Sequence, residues 1–417
     1  MPRAVAALAL LPAVATACGE GPPPPLLVVE ELESPAGVGS GEPFLSSWGD
    51  TVLMSWLETV GGAAHELRLA RLAEGRWTTP TLVAESDHFF VNWADFPSVA
   101  AGPDGSLWAH WLERGAGGGY DYGVRIVHST DGGATWSKPW TPHEDATATE
   151  HGFVSTAAVG DALGFLWLDG RRFEPGPDGA ASQEMALYFR AAEQGGPAGP
   201  ETLVDARVCD CCQTDMAVTA RGPVAVYRDR SPEEIRDIRI IHYRDDAWTK
   251  GSIVHEDGWE TAACPVNGPA VAAFGEHVVV AWFSAAGGVP RVRIAFSDDA
   301  GETFDRPVDV DDGNPAGRVD LVLLEDGAAL VSWLERGGGE LAEVRVRPFT
   351  REGRPGEGVS VSLSSGERAS GFPRLARAGD GSVIVAWTDV AELAPRVRVA
   401  RIGIEPARLD PVEGEAP

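Results

Sequence analysis

Cysteines are the densest group of potentially reactive side chains in the sequence. Four of them lie within the body of the chain: Cys209, Cys211, Cys212 and Cys264. When the strand starts DMAV and GPAV are aligned, the offset is 53 residues, which places Cys211 level with Cys264 on neighbouring repeats. We therefore expect one disulfide between Cys211 and Cys264 and, from their CxxC spacing, a second between Cys209 and Cys212. A thiolate site for copper(I) or zinc is the alternative, since these ions favour thiolate ligands.

Eight polar or aromatic side chains interrupt an otherwise regular repeat and are our candidates for ligand binding. They are Asp95, Glu150, His151, Asp215, Trp259, Arg318, Asp320 and Arg374. Stacking on the indole and bidentate contacts from the arginines would suit a glycan or a protein ligand. Two carboxylates facing each other across a channel could instead act as acid and base in glycoside hydrolysis. The sequence assigns no catalytic residue among them.

A repeat of short strands must position these side chains. Each unit contains a strand, a turn and a second strand ending in an aromatic residue, followed by one or two further strands. Successive aromatics are 51 to 60 residues apart, at Trp56, Trp111, Trp167, Tyr227, Trp282, Trp333 and Trp387. Four strands in a unit of about 50 residues are typical of a β-propeller blade. The repeat predicts an all-β chain with one seven-bladed propeller over residues 26–405, the alternative being six blades and one irregular repeat.

The two ends of the repeat region complement each other. The seventh unit has no fourth strand of its own, whereas residues 26–34 read as a strand that belongs to no other unit. We expect this N-terminal strand to complete the last blade and close the ring, because an unclosed array would leave an exposed sheet edge.

Two turns carry a motif in register, three repeats apart. Residues 129–136 read STDGGATW and residues 297–304 read SDDAGETF. Both resemble the bacterial neuraminidase repeat, or Asp-box, of sialidase-like propellers. The resemblance implies a sialidase-like fold and a structural role for the matching residues, which are Asp131, Gly133, Trp136, Asp299, Gly301 and Phe304.

Parts of the sialidase machinery that this resemblance would imply are missing. Sialidases clamp the substrate carboxylate with three arginines, the first in an early Arg-Ile-Pro motif, and use a late tyrosine as nucleophile. Here the first arginine of the mature chain is Arg68, and no tyrosine follows Tyr243. Sialidase activity is therefore not expected.

The N-terminus has the features of an export signal. Residues 1–17 contain one arginine, an apolar stretch and small residues before Cys18. This junction resembles the lipobox of bacterial lipoproteins, which implies lipid attachment at Cys18. Residues 18–25 would form a proline-rich tether and residues 406–417 an acidic tail. We expect an exported, membrane-anchored protein of the bacterial cell envelope.

Charge and motif content narrow the possible partners. The formal net charge is −28 and only two residues are lysine, which argues against a nucleic-acid surface. No HExxH, P-loop or nucleophile-elbow motif occurs, so we expect no cofactor and no metal site beyond the thiolate alternative. The chain is expected to be a monomer that touches the membrane only through its lipid anchor.

Three functions follow from these observations. The first is a lipid-anchored, sialidase-like propeller that binds a glycan or protein at its polar axial mouth. The second is a glycoside hydrolase or lyase that uses the rim carboxylates. The third is a thiol-metal protein.

Overall fold

Seven antiparallel sheets are arranged in sequence order in the computed structural model. The structure describes residues 23–175, 181–182, 184–194, 196–339, 341–390 and 394–405. The sheets form a seven-bladed β-propeller, as the repeat predicted, and the six-bladed alternative is wrong. In each blade the strand nearest the axis comes first in sequence, except that blade 7 receives its outermost strand from the N-terminus.

The first four blades differ mainly at their outer edges. Blade 1 contains Ser40–Trp48, Thr51–Gly61, Ala64–Ala73, Arg76–Trp77 and Thr81–Ser86. Blade 2 contains Ser98–Ala101, Leu107–Arg114 and Tyr122–Ser129, with a single bridge from Ile126 to Trp140 in place of an outer strand. Blade 3 contains His151–Val159, Ala162–Asp169, Met185–Glu193 and Gly196–Val208, and carries the small hairpin Glu174–Pro175 with Ala181–Ser182. Blade 4 contains Asp215–Thr219, Gly222–Arg228, Ile238–Arg244, Ala247–Trp248 and Ser252–His255.

The last three blades are four-stranded. Blade 5 contains Ala270–Phe274, His277–Ser284, Arg291–Ser297 and Val308–Asp309. Blade 6 contains Pro315–Leu323, Ala329–Arg336, Leu341–Phe349 and Val359–Ser365. Blade 7 contains Arg374–Arg377, Val383–Asp389, Arg396–Glu405 and Leu26–Leu32. Two single-turn 3-10 helices, Ala286–Gly288 and Arg368–Ser370, lie in connecting segments.

Ring closure joins the two ends of the described chain. Leu26–Leu32 pairs antiparallel with Arg396–Glu405, in a register that places Leu26 opposite Glu405 and Leu32 opposite Val399. The expected closure by the N-terminal strand is confirmed. It gives blade 7 a fourth strand and covers the edge that Arg396–Glu405 would otherwise expose.

The repeated aromatics are buried centres of the blades. Trp56 and Trp333 are completely buried, and each donates its indole N–H to the carboxylate two residues later, Glu58 at 3.0 Å and Glu335 at 2.7 Å. In six blades the residue opposite the aromatic on the third strand is an arginine: Arg68, Arg125, Arg239, Arg293, Arg345 or Arg398. Replacing such a buried indole by alanine typically costs about 3–5 kcal/mol. The recurring acids and arginines near these aromatics therefore serve the blade, not a ligand.

The two motif-bearing turns share one hydrogen-bond pattern. In the first, Ser129 Oγ donates to Asp131 Oδ1 at 2.8 Å, and the amide and hydroxyl of Thr135 donate to the same carboxylate at 2.9 and 2.6 Å. Ser297, Asp299 and Thr303 repeat these contacts in blade 5. The hydroxyl and amide bonds from Thr135 lower the pKa of Asp131 to about 2. The carboxylate therefore stays ionised and is fully occupied by its own turn.

The predicted signal peptide, Cys18 and the acidic tail lie outside the described residues and stay predictions. Within the described ranges, no helix has the length and apolar character needed to cross a membrane.

Removing the closing strand tests the ring. A chain that begins at Ser34 leaves Arg396–Glu405 as an unpaired edge, whereas a chain that begins at Leu26 keeps the closure and serves as the control. We expect the shorter protein to aggregate and to melt at least about 5 °C lower, since each lost kcal/mol shifts the midpoint of a large domain by about 2 °C. Differential scanning fluorimetry and size-exclusion chromatography measure both effects, and equal melting temperatures would contradict this closure.

Candidate functional site

A small cavity lies at the axial mouth, where several inner strands begin. Its volume is about 60 Å³, and five blades contribute to its lining, which includes Phe44, Phe96, Phe153, Gln213, Asp215 and Arg374. That volume accommodates a few water molecules, whereas pockets for whole small-molecule ligands usually measure about 300–1,000 Å³. In this conformation the cavity can accept one functional group of a ligand, such as a carboxylate, but not a complete sugar ring.

The segment before the inner strand of blade 2 crosses the mouth and explains the small volume. The Trp93 ring stacks on Phe372, which precedes blade 7, with centroids 6.0 Å apart. The carbonyl of Ala94 accepts a hydrogen bond from Gln213 Nε2 of the blade 3–4 connection at 2.6 Å. Residues 93–96 therefore contact several sides of the ring, and three of them line the cavity.

Arg374 is the cation that faces this cavity. Its guanidinium lies 4.8 Å from the ring centre of Phe44 and 5.4 Å from that of Phe96, and its Nε lies 3.2 Å from Asp320 Oδ2. Its two terminal nitrogens have no hydrogen-bond partner among the described residues. The two rings hold the guanidinium by cation–π contacts and leave its terminal nitrogens without a protein acceptor.

The predicted carboxylates of the mouth bridge neighbouring blades. Asp215 accepts the amide hydrogen of Val271 at 2.8 Å, and Asp320 accepts that of Leu375 at 2.7 Å. Asp95 accepts an amide hydrogen from the inner strand of blade 3 at 2.6 Å. These oxygens satisfy buried backbone donors, whose desolvation would otherwise cost about 1–3 kcal/mol each. These three carboxyl groups therefore have structural partners between blades, and their contact with a ligand stays a prediction.

Burial also changes the charge of the mouth. It raises the pKa of Asp95 and of Asp215 to about 7, and it raises the pKa of Asp320 as well. Glu42, which the sequence did not single out, has a pKa of about 7 for the same reason. Below pH 7 the mouth is consequently less negative than its formal charge suggests.

Three inner strands carry a bulge at their mouth ends. Glu42, Phe153 and Arg318 have φ values of 51°, 53° and 59°, in the left-handed region that residues other than glycine rarely occupy. The strand register shifts at each of these positions. A glycine precedes each residue, so the sequence did carry a signal for the bulges. Such bulges are common near functional sites because they re-aim the following side chains.

Arg318 and Trp259, both predicted to contact ligand, are instead parts of the framework. Arg318 is 5% exposed and donates to Ser370 Oγ at 2.6 Å and to the carbonyl of Gly371 at 3.0 Å. Trp259 is 9% exposed, lies edge-on to Phe283 and is covered by a guanidinium. Neither side chain presents an open surface to a ligand, because each is packed between neighbouring loops.

Glu150 and His151 lie on the rim between blades 2 and 3 but face different groups. Tyr122, which the sequence did not single out, places its hydroxyl 3.0 Å from Asp95 Oδ2 and 3.5 Å from Glu150 Oε2. His151 is turned away from this pair, toward Asp145. The eight predicted residues are thus divided between the axial cavity, the rim and the framework.

The cysteine cluster is adjacent to the mouth on blades 3 and 4. Cys211 and Cys264 form a disulfide with a Cα–Cα distance of 6.1 Å, as expected from the offset of the repeats. Cys209 and Cys212 are free, buried thiols, so the second expected disulfide is absent from this structure. Burial opposes ionisation of Cys209, but the hydrogen bond with Cys212 and the guanidinium groups of Arg228 and Arg236 lower its pKa to about 7. Because Cys211 is oxidised, a thiolate site containing it would require reduction of the disulfide.

Comparison with known proteins supports the fold. The chain matches no known protein-family model and no curated protein. Among solved structures it is similar to a protein of unknown function from Dyadobacter fermentans, with a TM-score of 0.50 and 15% identity over 90% of this chain and 99% of that one. It is also similar to the K499G mutant of NanB sialidase from Streptococcus pneumoniae, with a TM-score of 0.47 and 9% identity over 91% and 94% of the two chains.

A third similar structure is the polysaccharide lyase Uly1, with a TM-score of 0.49 and 12% identity over 88% of this chain and 90% of the lyase. The strand topology shows a β-propeller, and the similarity to the Dyadobacter fermentans protein extends over nearly the whole of both chains. Identities this low show the fold alone and assign no activity.

The disulfide and the free thiols can be tested together. Cys211–Cys264 closes a 53-residue separation, so Cys264→Ser should lower the free energy of unfolding by about 4 kcal/mol. Reduced wild type should match the variant, and reductant should not destabilise the variant further, as measured by chemical denaturation.

Thiol titration of the unreduced, denatured protein gives the complementary count. A chain that begins at Leu26 should contain two reactive thiols. Four would rule out the Cys211–Cys264 bond, and none would show that Cys209 and Cys212 are also bonded.

Proposed function

We propose that this chain binds an acidic glycan, or another ligand with a terminal carboxylate, at its axial mouth and does not turn it over. We further propose that it does so as an exported, lipid-anchored monomer of the bacterial cell envelope. The observation that carries the binding proposal is Arg374, which lines the cavity, packs against the adjacent rings of Phe44 and Phe96, and has no hydrogen-bond partner for its terminal nitrogens among the described residues. A fixed guanidinium edge matches the two oxygens of a carboxylate.

The size of the cavity supports a terminal group rather than an internal sugar. About 60 Å³ is enough for a carboxylate in place of a few waters, while the rest of the ligand would lie outside on the rim. Among the described residues that line the cavity, Arg374 is the one cation, so it is the anchor available to an anionic group.

Charge at the mouth makes the proposed binding dependent on pH. Asp320 is paired with Arg374, while Asp95 and Asp215 line the same cavity with pKa values near 7. Below pH 7 the latter two are largely protonated and do not repel an incoming carboxylate. As the pH rises through 7 they ionise, so affinity for the anion should fall.

The contacts of the mouth carboxylates with neighbouring blades support the proposal that the ligand is not turned over. Asp95, Asp215 and Asp320 each accept a backbone amide of the next blade, so moving any of them toward a substrate would break a contact between blades. Arg374 is the one arginine among the described residues that line the cavity, whereas sialidases use three.

A hydrolase or lyase is the second candidate, and one observation favours it. Tyr122 lies between the carboxyl groups of Asp95 and Glu150, whose pKa values burial raises to about 7. This arrangement could exchange protons near neutral pH. Tyr122 is only 2% exposed, however, so a substrate would reach its hydroxyl only after the rim had moved.

Substitution of the anchor tests the binding proposal. In Arg374→Gln the stacked side chain loses its charge, and we expect affinity for uronic-acid oligosaccharides to fall at least about tenfold, the value of a charge-assisted hydrogen bond. Arg377→Gln, on the same strand but paired with the exposed Glu325, is the matched control and should bind normally. Calorimetry between pH 5.5 and 8.5 should show wild-type affinity decreasing as the pH rises through about 7.

Two outcomes would contradict the proposal. Equal affinity of Arg374→Gln and wild type would exclude the anchor. Release of reducing ends or unsaturated products from the same oligosaccharides, abolished in Tyr122→Phe, would favour the enzymatic candidate instead.

A further inference from the structure

Three cysteine sulfurs lie close together beside the mouth. The Sγ atoms of Cys209, Cys211 and Cys212 are all within 4.8 Å of one another, and the turn at Asp210 and Cys211 brings the first and last of these cysteines together. Two of the sulfurs are free thiols, and the third belongs to the Cys211–Cys264 disulfide. A thiol this close to a disulfide is positioned for thiol–disulfide exchange, in which a thiolate attacks one sulfur of the bond.

Cys209 is the thiol suited to attack. A terminal nitrogen of Arg236, which is 1% exposed, donates to its Sγ at 3.4 Å. Although burial opposes ionisation, the hydrogen bond with Cys212 and the guanidinium groups of Arg228 and Arg236 hold the pKa of Cys209 at about 7. Burial and the hydrogen bond with Cys209 raise the pKa of Cys212 well above its usual range. The pair therefore consists of one nucleophile and one proton donor.

The disulfide is more exposed than the two thiols. Cys209 and Cys212 are each 1% exposed, whereas Cys211 is half-buried and Cys264 is exposed. The nucleophile thus reaches the disulfide from inside the protein, at its half-buried sulfur. Attack there releases the sulfur of Cys264 at the surface, where water can protonate it.

We propose that Cys209 exchanges into this disulfide and releases Cys264 as an exposed, reactive thiol. A bond forms between the sulfurs of Cys209 and Cys211 while the Cys211–Cys264 bond breaks. The electron pair of the broken bond leaves with the sulfur of Cys264, which takes a proton from water. Cys209 is oxidised and Cys264 is reduced, so the step needs no external oxidant or reductant. Cys212 can then attack Cys209 and give its proton to Cys211, which moves the disulfide to the CxxC pair.

The exchange changes both a covalent tie between blades and the reactivity of the surface. Cys211 lies between the last strand of blade 3 and the inner strand of blade 4, and Cys264 lies between the last strand of blade 4 and the inner strand of blade 5. After exchange these two connections are no longer covalently joined, and Cys264 is open to thiol-reactive molecules. The site does not include Arg374, so the exchange neither requires nor excludes the proposed ligand binding.

Alkylation of the folded, unreduced protein tests the exchange. The whole protein carrying Cys18→Ala has no cysteine outside the cluster. It is incubated with N-ethylmaleimide and no reductant, quenched with acid, and mapped by mass spectrometry after digestion with pepsin, because exchange stops when thiolates are protonated. We expect the label on Cys264, in molecules that retain one disulfide from Cys209 to Cys211 or Cys212.

Two variants of this protein separate the exchange from simple exposure. In Cys209→Ser the attacking thiolate is absent, so labelling of Cys264 should be at least about tenfold slower. Arg221→Gln, which changes an exposed arginine of blade 4 paired with Glu276, is the matched control and should be labelled at the unchanged rate.

A third variant keeps the proposal testable if Cys209→Ser fails to fold. Cys212→Ser retains the first step and lacks the second, so every molecule labelled at Cys264 should contain the Cys209–Cys211 bond. Label confined to Cys209 and Cys212, with the Cys211–Cys264 bond intact, would overturn the proposal. So would a folded protein that takes up no label.

Discussion

Inner strands converge toward the propeller axis, and their backbone amides at the mouth must find partners outside their own blade. Side chains of the preceding blade supply them: Asp95 for the inner strand of blade 3, Asp215 for that of blade 5 and Asp320 for that of blade 7. An unpaired amide at these positions would cost about 1–3 kcal/mol, so the mouth carboxyls are needed to hold the ring together. This constraint decides which polar residues remain available to a ligand.

Arg374 remains available to a ligand because two of its three partners are phenylalanine rings, which accept no ordinary hydrogen bond from its terminal nitrogens. Its charge is balanced by Asp320 and its guanidinium packs against Phe44 and Phe96, while its terminal nitrogens have no acceptor among the described residues. The same burial that fixes the carboxyls raises the pKa of Asp215 to about 7. Stability of the ring and charge of the proposed ligand site are therefore coupled through the same side chains.

Periodic features of this molecule were predictable from sequence. The spacing of the aromatics predicted seven blades, the unassigned strand near residue 26 predicted the closure, and the 53-residue offset predicted the Cys211–Cys264 bond. Each of these predictions depends on where the strands begin and end within a repeat. The alternation of apolar and polar residues indicates those positions directly.

Features of the loops were not predictable in the same way. Trp259 and Arg318 interrupt the repeat, yet they are buried, because a break in a pattern does not reveal whether a loop folds inward or outward. His143 and Asp145 lie in an irregular connection, and their proximity to His151 depends on the path of that connection. Similarly, nothing periodic indicated that residues 93–96 contact blades on several sides of the mouth.

A crystal structure with bound glucuronate tests most directly whether Arg374 is the anchor for an anionic group. We expect the ligand carboxylate within about 3 Å of the terminal guanidinium nitrogens of Arg374, with the sugar ring outside the cavity. A carboxylate bound elsewhere, for example beside Tyr122 and Glu150, with Arg374 left uncontacted, would contradict it.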